Sequence, residues 1–109
     1  DYPADQAALA RLNADGATAA RFELVVDGVE LANGYWELVD PAEHRGRFAR
    51  DNDSRRQRDL PEVAPDNAFL EALEAGLPNC AGVAVGFDRL VMLALGAEGL
   101  DQVLTFRGQ

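Results

Sequence analysis

The sequence has 109 residues, of which 48% are hydrophobic and 27% charged; this is the size and composition of one small folded domain rather than of a disordered or fibrous chain. The formal net charge of -9, without a single lysine, disfavours nonspecific binding to a phosphate backbone. No apolar run approaches the ~20 residues that a membrane-spanning helix needs, and the lone cysteine, Cys80, excludes an internal disulfide and favours a cytoplasmic setting.

The N-terminal segment predicts a short helix. Pro3 suits a first helical turn, the stretch from Ala7 to Leu12 contains a short apolar stripe, and Gly16 is a stop signal.

A β-hairpin is predicted over residues 20–39. The dipeptide Asp27-Gly28 is typical of a two-residue turn, and the apolar residues before it alternate with other residues as they do in a strand. Strands joined by so short a turn run antiparallel. The return strand contains Asn33-Gly34, where we expect a bulge or bend.

Three helices and one further strand complete the predicted pattern. Aspartate or proline at a helix start and glycine at its end mark the boundaries, and a run of small and β-branched residues marks the strand. The predicted elements are a polar helix from Pro41 to about Asp59, a shorter helix from Asn67 to Gly76, a strand from Ala81 to Phe87, a helix from Arg89 to Leu95 and a last turn from Leu100 to Leu104. An antiparallel sheet with flanking helices is an α+β fold.

Arginine is concentrated in the polar helix. Residues 45–58 hold six of the ten basic residues against two aspartates. Two interpretations stay open: a solvated helix that balances an acidic body, and a docking surface for an acidic partner. His44, the only histidine, lies in this helix, and we expect it at the surface; Cys80 is expected to be a packed thiol. One histidine and one cysteine are too few to ligate a metal.

Two glutamates flank the predicted turn. Glu23 and Glu30 lie on neighbouring strands, where residues opposite one another on one face are ~5 Å apart. Carboxylates held that close repel unless one is protonated or a cation lies between them. Mg²⁺ fits, because it typically takes one or two carboxylates together with substrate phosphates. The alternative is that both glutamates face solvent as ordinary strand surface.

The junction between the last strand and the last helix reads Gly82-Val-Ala-Val-Gly86-Phe-Asp88-Arg89. Small residues in a strand let a flat ligand approach the backbone. Arg89 would enter from the first turn of a helix, where the helix dipole favours anions, and its guanidinium suits a polyphosphate or the face of a base. The pattern is neither a dinucleotide fingerprint nor a P-loop, and taken alone it is a weak signal.

Together, in this order and spacing, the two motifs resemble the lysine-type class II aminoacyl-tRNA synthetases. The blocks that carry the resemblance are Phe22 to Leu38, which contains Glu30-Leu-Ala-Asn-Gly-Tyr-Trp-Glu37, and Gly82 to Leu93, which resembles motif 3 of that class. The resemblance covers nearly all of residues 1–109, as the C-terminal part of the catalytic domain. Motifs 1 and 2 of the class have no counterpart in these residues, and there is no initiator methionine, so we expect a piece of a longer protein that is incomplete as an enzyme.

The resemblance implies a role for nine residues in adenylate formation from ATP and an amino acid. Glu23 and Glu30 match the pair that holds Mg²⁺; Leu31, Gly86 and Arg89 join them around ATP; Asn33, Tyr35, Glu37, Ala84 and Gly86 match the lysine pocket; and Glu30 and Arg89 are the catalytic candidates. Glu37 would face the ammonium of the substrate side chain. The resemblance further implies a homodimer for the full-length enzyme.

Within this family the chain is more similar to the short ligases that attach a β-lysine-type residue to elongation factor P. The features are Glu-Leu-Ala-Asn-Gly at 30–34, the run at 75–82, and Ala84 where true lysyl-tRNA synthetases usually carry glycine. Tyr35-Trp36 departs from the common pattern of phenylalanine followed by a small or imidazole residue. Two alternatives stay open: a lysyl-tRNA synthetase fragment that acts on tRNA-Lys, and a non-catalytic regulatory module, although no matched Mg²⁺ or ATP position is lost.

Overall fold

The computed structural model describes residues 1–106 and confirms an α+β fold with antiparallel sheets. The main elements are β1 (Tyr2–Pro3), β2 (Thr18–Ala19), β3 (Arg21–Val26), β4 (Val29–Trp36), α1 (Pro41–Gln57), α2 (Asn67–Ala75), β5 (Ala81–Val85) and α3 (Phe87–Leu95). Single 3₁₀ turns lie at Ala4–Gln6 and Leu100–Gln102. Over this described part of the chain, every helix is too short or too polar to cross a membrane.

A three-stranded antiparallel sheet in the order β3-β4-β5 is the centre of the fold. The predicted hairpin is confirmed: Val26 pairs with Val29, and the two residues between them have positive φ angles, 49° at Asp27 and 78° at Gly28. Positive φ at both positions is what a tight turn of this twist requires, and aspartate followed by glycine tolerates it best.

A β-bulge lies in β4, but not where the sequence predicted it. The register shifts so that Leu24 pairs with Ala32 and Val25 pairs with Glu30, which leaves Leu31 without a partner on β3. The expectation of a bulge at Asn33-Gly34 is therefore wrong. Glycine is needed at 34 for a different reason, because a Cβ there would lie 2.4 Å from Cε1 of Phe22.

The predicted N-terminal helix is also wrong. The chain forms one 3₁₀ turn, then Ala8 takes a φ of 50° and Ala10 bridges to Glu37 in an antiparallel pair. Ala7, Ala10 and Ala19 are buried together against Tyr35. The apolar residues that suggested a helix are thus used to pack an extended segment on the hairpin, since tertiary burial overrides a weak local preference.

Helices α1 and α2 begin and end close to the predicted residues. Asp40 accepts hydrogen bonds from the backbone N–H groups of Ala42 and Glu43, and Asp66 accepts one from Phe69. Gly76, with a φ of 109°, ends α2. Strand β5 ends at Val85 rather than at the predicted Phe87, because α3 already begins at Phe87. Helix α3 ends at Leu95, before Gly96, whose φ is 63°.

The arginines of α1 are mostly bound within the chain. Four form ion pairs, and a fifth, Arg55, donates to the carbonyl of Pro61 at 2.7 Å. The ion pairs are Arg45–Glu74, Arg47–Glu43, Arg50–Glu43, and Arg56 with both Asp53 and Glu62. This favours the interpretation of a charged helix balanced by its surroundings over that of a docking surface.

His44 is buried, which corrects the expectation of a surface residue. It is only 1% exposed, its Nε2 lies 2.7 Å from the carbonyl oxygen of Leu38, and its ring packs edge-on against Phe69 of α2. Because a carbonyl only accepts, Nε2 carries the proton in that contact. Sequence reasoning missed this because α1 is polar on most sides and shows almost no apolar stripe.

Candidate functional site

One face of the three-stranded sheet carries most of the candidate site residues. Directly paired residues on neighbouring strands share a face, and two successive rows are polar or small. We call this the polar face; its rows are Glu23–Asn33–Ala84 and Arg21–Tyr35–Gly82. The structure therefore places Glu23, Asn33, Tyr35 and Ala84 on one face of the sheet, together with Arg21 and Gly82.

Glu37 extends the polar face just beyond the end of β4. The backbone N–H of Glu37 donates to the carbonyl of Cys80 at 3.0 Å, and the guanidinium of Arg11 donates to the backbone carbonyl of Glu37 at 3.2 Å. Its carboxylate lies over Gly82, because a Cβ added at that glycine would stand 2.5 Å from Oε1 of Glu37. Gly82 thus leaves the space that the carboxylate occupies, beside Tyr35 of the neighbouring strand.

A chain of hydrogen bonds connects the side chains of the polar face. Nε of Arg21 donates to Oδ1 of Asn33 at 3.2 Å, and Nδ2 of Asn33 donates to the hydroxyl of Tyr35 at 2.7 Å. A second nitrogen of Arg21, Nη2, donates to Oε1 of Glu23 at 2.7 Å. Three of the candidate ligand-binding residues are therefore held by one guanidinium, directly or through a single intermediate.

Tyr2 adds a further group to this cluster. Its ring lies beside the guanidinium of Arg21, 4.6 Å from ring centroid to Cζ. The pKa of Tyr2 is raised above its usual value, chiefly because its hydroxyl hydrogen-bonds to the carboxylate of Glu23, and further by burial and by the negative charges of Glu23 and Glu30. Both glutamates therefore act electrostatically on the same phenol.

Glu23 and Glu30 are not opposite one another, which corrects the geometry expected from the sequence. The two-residue turn places Val26 opposite Val29 and hence Glu30 opposite Val25, while Glu23 pairs with Asn33 beyond the bulge. The two carboxylates are therefore diagonal neighbours, and diagonal neighbours in a sheet are still within reach of long side chains.

The edge of the site at the β5–α3 junction is fixed by two consecutive carbonyls. The carbonyl of Glu30 accepts from Nη1 of Arg89 at 2.7 Å, and that of Leu31 accepts from the N–H of Gly86 at 2.8 Å. The side chain of Arg89 lies over Gly86, where an added Cβ would be 3.2 Å from Cδ. Arg89 remains 44% exposed, and its guanidinium is within 3.9 Å of the Glu30 carboxylate.

A magnesium ion would have only two protein carboxylates at this place. Within residues 1–106 there is no cluster of three or more acidic, histidine or cysteine side chains that could hold a metal. Glu23 and Glu30 nevertheless fit an ion that is shared with phosphate oxygens, since such an ion needs only one or two carboxylates from the protein. The contacts of the Glu23 carboxylate with Arg21 and Tyr2 use only part of its lone pairs, so others remain for a cation.

Trp36, which departs from the common pattern in the first of the two motifs, is on the opposite face from Tyr35. Its ring lies 4.7 Å from Cζ of Arg11, and its indole N–H donates to Oδ1 of Asn79 at 2.6 Å. Trp36 therefore connects the segment before β5 to the end of β4, and it does not lie on the polar face.

Sequence reasoning missed Arg21 and Tyr2. Arg21 precedes Glu23 by two positions in a strand, and residues two apart lie on one face, so this spacing was a usable signal. For Tyr2 there was none, because it reaches the site through the pairing of β1 with β2.

Comparison with known families gives a match over almost the whole chain. The family of class II tRNA synthetases (D, K and N) matches residues 1–108.

Several curated proteins that resemble this chain share the name elongation factor P--(R)-beta-lysine ligase. The protein of Klebsiella pneumoniae (strain 342) is 54% identical over 106 residues, which cover 96% of this chain and 33% of the relative. That of Vibrio cholerae is 54% identical over 107 residues, covering 97% and 33%, and that of Proteus mirabilis is 55% identical over 106 residues, covering 96% and 33%. The chain thus spans about a third of the length of the curated relatives it matches.

Proposed function

This chain belongs to the class II tRNA synthetase family (D, K and N), and on that premise we propose that the complete protein is a ligase that activates lysine or β-lysine with ATP. The activated residue is an aminoacyl-adenylate, and it is transferred to a lysine of elongation factor P. The relatives named for this reaction support the choice of acceptor and of β-lysine. We propose that the protein works in the cytoplasm as a homodimer, with Mg²⁺ accompanying ATP.

The observation that carries this proposal is the position of Glu37. Its carboxylate lies over Gly82 on the polar face, where the two rows draw only small or neutral residues from β4 and β5: Asn33, Tyr35, Gly82 and Ala84. A carboxylate at such a place suits a substrate that ends in an ammonium group. In this role Glu37 binds the side-chain ammonium, while Asn33 and Tyr35 contact the rest of the amino acid and Ala84 limits its shape.

The nucleotide half of the proposed site lies at the bulge and the β5–α3 junction. Arg89 and the backbone around Leu31 and Gly86 would contact ATP, and Glu23 with Glu30 would hold Mg²⁺. When bound, that ion supplies positive charge to the phosphates. Arg89 stabilises negative charge that develops as pyrophosphate leaves, because its guanidinium is held in place before the reaction by the Glu30 carbonyl.

A lysyl-tRNA synthetase is the second candidate, since the matching family is named for tRNA synthetases. The test is pyrophosphate exchange by the complete protein with α-lysine and with (R)-β-lysine, followed by transfer of the labelled residue to elongation factor P or to tRNA-Lys. We expect exchange with a lysine isomer and labelling of the factor. Efficient charging of tRNA without labelling of the factor would refute the ligase and leave the synthetase. Absence of exchange with either isomer would favour a non-catalytic module.

A further inference from the structure

Arg21 is the most connected side chain of the polar face, and it lies outside the residues proposed to bind the amino acid, ATP or Mg²⁺. Its guanidinium donates to Asn33, to Glu23 and, at 2.7 Å, to the backbone carbonyl of Gln6. The ring centroids of Tyr2 and Tyr35 lie 4.6 and 5.7 Å from its Cζ. The side chain is only 17% exposed, and these contacts hold it in place.

The chemistry of these donors sets the direction of the whole chain of hydrogen bonds. Arginine only donates, so the group of Asn33 that faces it must be the carbonyl oxygen. The amide nitrogen of Asn33 must then face Tyr35, and an amide nitrogen only donates. The hydroxyl oxygen of Tyr35 therefore accepts, and its proton points away from Asn33. Among the described residues, no acceptor takes up that proton.

We propose that Arg21 is a positioning residue for the amino-acid half of the site. It fixes the Asn33 amide in one orientation and, through it, leaves the Tyr35 hydroxyl proton free to be donated to an oxygen of the bound amino acid or its adenylate. This rests on the proposed function. Its other contact, with Glu23, affects the nucleotide half, so the two effects of Arg21 are separable by substitution.

Two variants of the complete protein separate the effect of Arg21 on the amino-acid half of the site from its effect on the nucleotide half. Arg21→Met keeps an unbranched apolar stem near the tyrosine rings but removes every donor. Arg21→Lys restores a charge for Glu23 but lacks the planar fork that reaches Asn33 at the same time. We expect Arg21→Met to raise KM for both lysine and ATP, with the lysine effect about ten- to a hundredfold. Arg21→Lys should return KM for ATP toward the wild-type value and leave KM for lysine raised.

A double-mutant cycle shows whether Arg21 acts through Asn33. In an Asn33→Ala background, Arg21→Lys should no longer change KM for lysine, because the residue it positions is gone. An effect of Arg21→Lys that is undiminished in that background overturns the proposal. Arg45→Met, which removes an exposed ion pair with Glu74 on α1, is the matched control, and it should leave both KM values unchanged.

An NMR measurement tests the positioning role of Arg21 independently of enzymatic activity. The side-chain amide signal of Asn33 is identified by NMR from its loss in Asn33→Asp. It should move in both Arg21 variants and stay in place in Arg45→Met. An unmoved signal in Arg21→Met overturns the proposal whatever the activity. If the wild-type protein activates no lysine isomer, the proposed function fails, while this signal still decides the role of Arg21.

Discussion

Glu37 and Gly82 form one unit, since the carboxylate occupies the space where a side chain at 82 would stand. A residue with no side chain is as necessary here as the charged one it faces. The same holds at Gly86, over which Arg89 lies. At the scale of single residues, two charged side chains of the candidate site therefore pack directly on the backbone of glycines.

Glu37→Gln in the complete protein keeps the shape of this unit but removes its charge. Loss of one partner of a buried charged pair costs ~3–5 kcal/mol, hence roughly a hundred- to several-thousand-fold in kcat/KM for the lysine isomer. ATP binding should remain largely intact. Steady-state pyrophosphate exchange measures kcat/KM for the lysine isomer and KM for ATP. Glu30→Gln should instead weaken Mg²⁺-dependent use of ATP, and Glu62→Gln, an exposed partner of Arg56, is the control. If Glu37→Gln changed kcat/KM for the lysine isomer and KM for ATP equally, the assignment of Glu37 to the amino acid alone would be contradicted.

Ala84→Gly tests the shape of the amino-acid pocket. Ala84 pairs with Asn33 across β4 and β5, so its methyl group lies beside a residue proposed to contact the substrate. We expect its removal to shift the preference from β-lysine toward α-lysine, by about tenfold, since one methyl-sized change in a pocket is worth ~1–3 kcal/mol. The measurement is the ratio of kcat/KM for the two isomers. An unchanged ratio would show that Ala84 does not discriminate between them.

Much of the candidate site was readable from the sequence, because the two motifs lie on strands where alternation assigns the face. Asn33, Tyr35 and Ala84 fall on the polar face as that alternation requires. What was not readable depends on contacts between distant segments. His44 is buried by Phe69 of a later helix, and Ala10 is extended because it pairs with Glu37.

At the scale of elements, the hairpin of β3 and β4 was predictable because Asp27-Gly28 fixes its turn. The position of the bulge was not, since a glycine in a strand signals either a bulge or a close approach of another group. At Gly34 it is the close approach of Phe22, and the bulge lies at Leu31. The ends of the helices were predictable because their caps are local.

The turn that leads into β2 depends on one carboxylate. Asp15 accepts hydrogen bonds from the N–H groups of Ala17 and Thr18 and from the Thr18 hydroxyl. These bonds lower the pKa of Asp15, the contact with the Thr18 N–H having the largest effect. A lowered pKa in the folded state means that the stabilisation is present above the unfolded pKa and is lost as the pH falls through the folded one.

Asp15→Ala should therefore lower Tm of the complete protein at neutral pH. The difference from the wild type should shrink as the pH falls below about 4, because both states of the wild-type aspartate then take up the proton. Thermal melts followed by circular dichroism over this range measure the difference. A difference that is the same at every pH would mean that the charge of Asp15 does not stabilise the turn.

At the scale of the whole molecule, the sheet has two unlike faces. Opposite the polar face lie apolar side chains that are about half exposed: Phe22, Leu24, Val83 and Val85. Phe87 and Leu95 of α3 are more exposed still, at 70% and 73%. The buried core is correspondingly small: among the described residues its buried hydrophobic side chains are four alanines and four leucines. Patches of this kind mark surfaces that another part of a protein covers, in keeping with relatives three times as long.

We expect the 109-residue chain by itself neither to adenylate lysine nor to bind ATP tightly. The resemblance implies that motif 2 of the class also contributes to the ATP site, and these residues have no counterpart of it, so the loss of translational and conformational freedom on binding is poorly offset. Isothermal calorimetry with ATP and Mg²⁺ checks this, with the complete protein as the positive control. Micromolar affinity from the isolated chain would show that the residues present here already suffice for the nucleotide.

The contact between Gly34 and Phe22 imposes an order on evolutionary change. Any residue larger than glycine at 34 would place its Cβ 2.4 Å from the Phe22 ring and 3.0 Å from the carbonyl oxygen of Gly82. A lineage that replaces Phe22 with a smaller residue first removes the nearer obstacle, whereas one that changes Gly34 first passes through a variant with a distorted strand between Asn33 and Tyr35. The same pair of mutations is thus accessible along one path and blocked along the other, although both paths end in the same sequence.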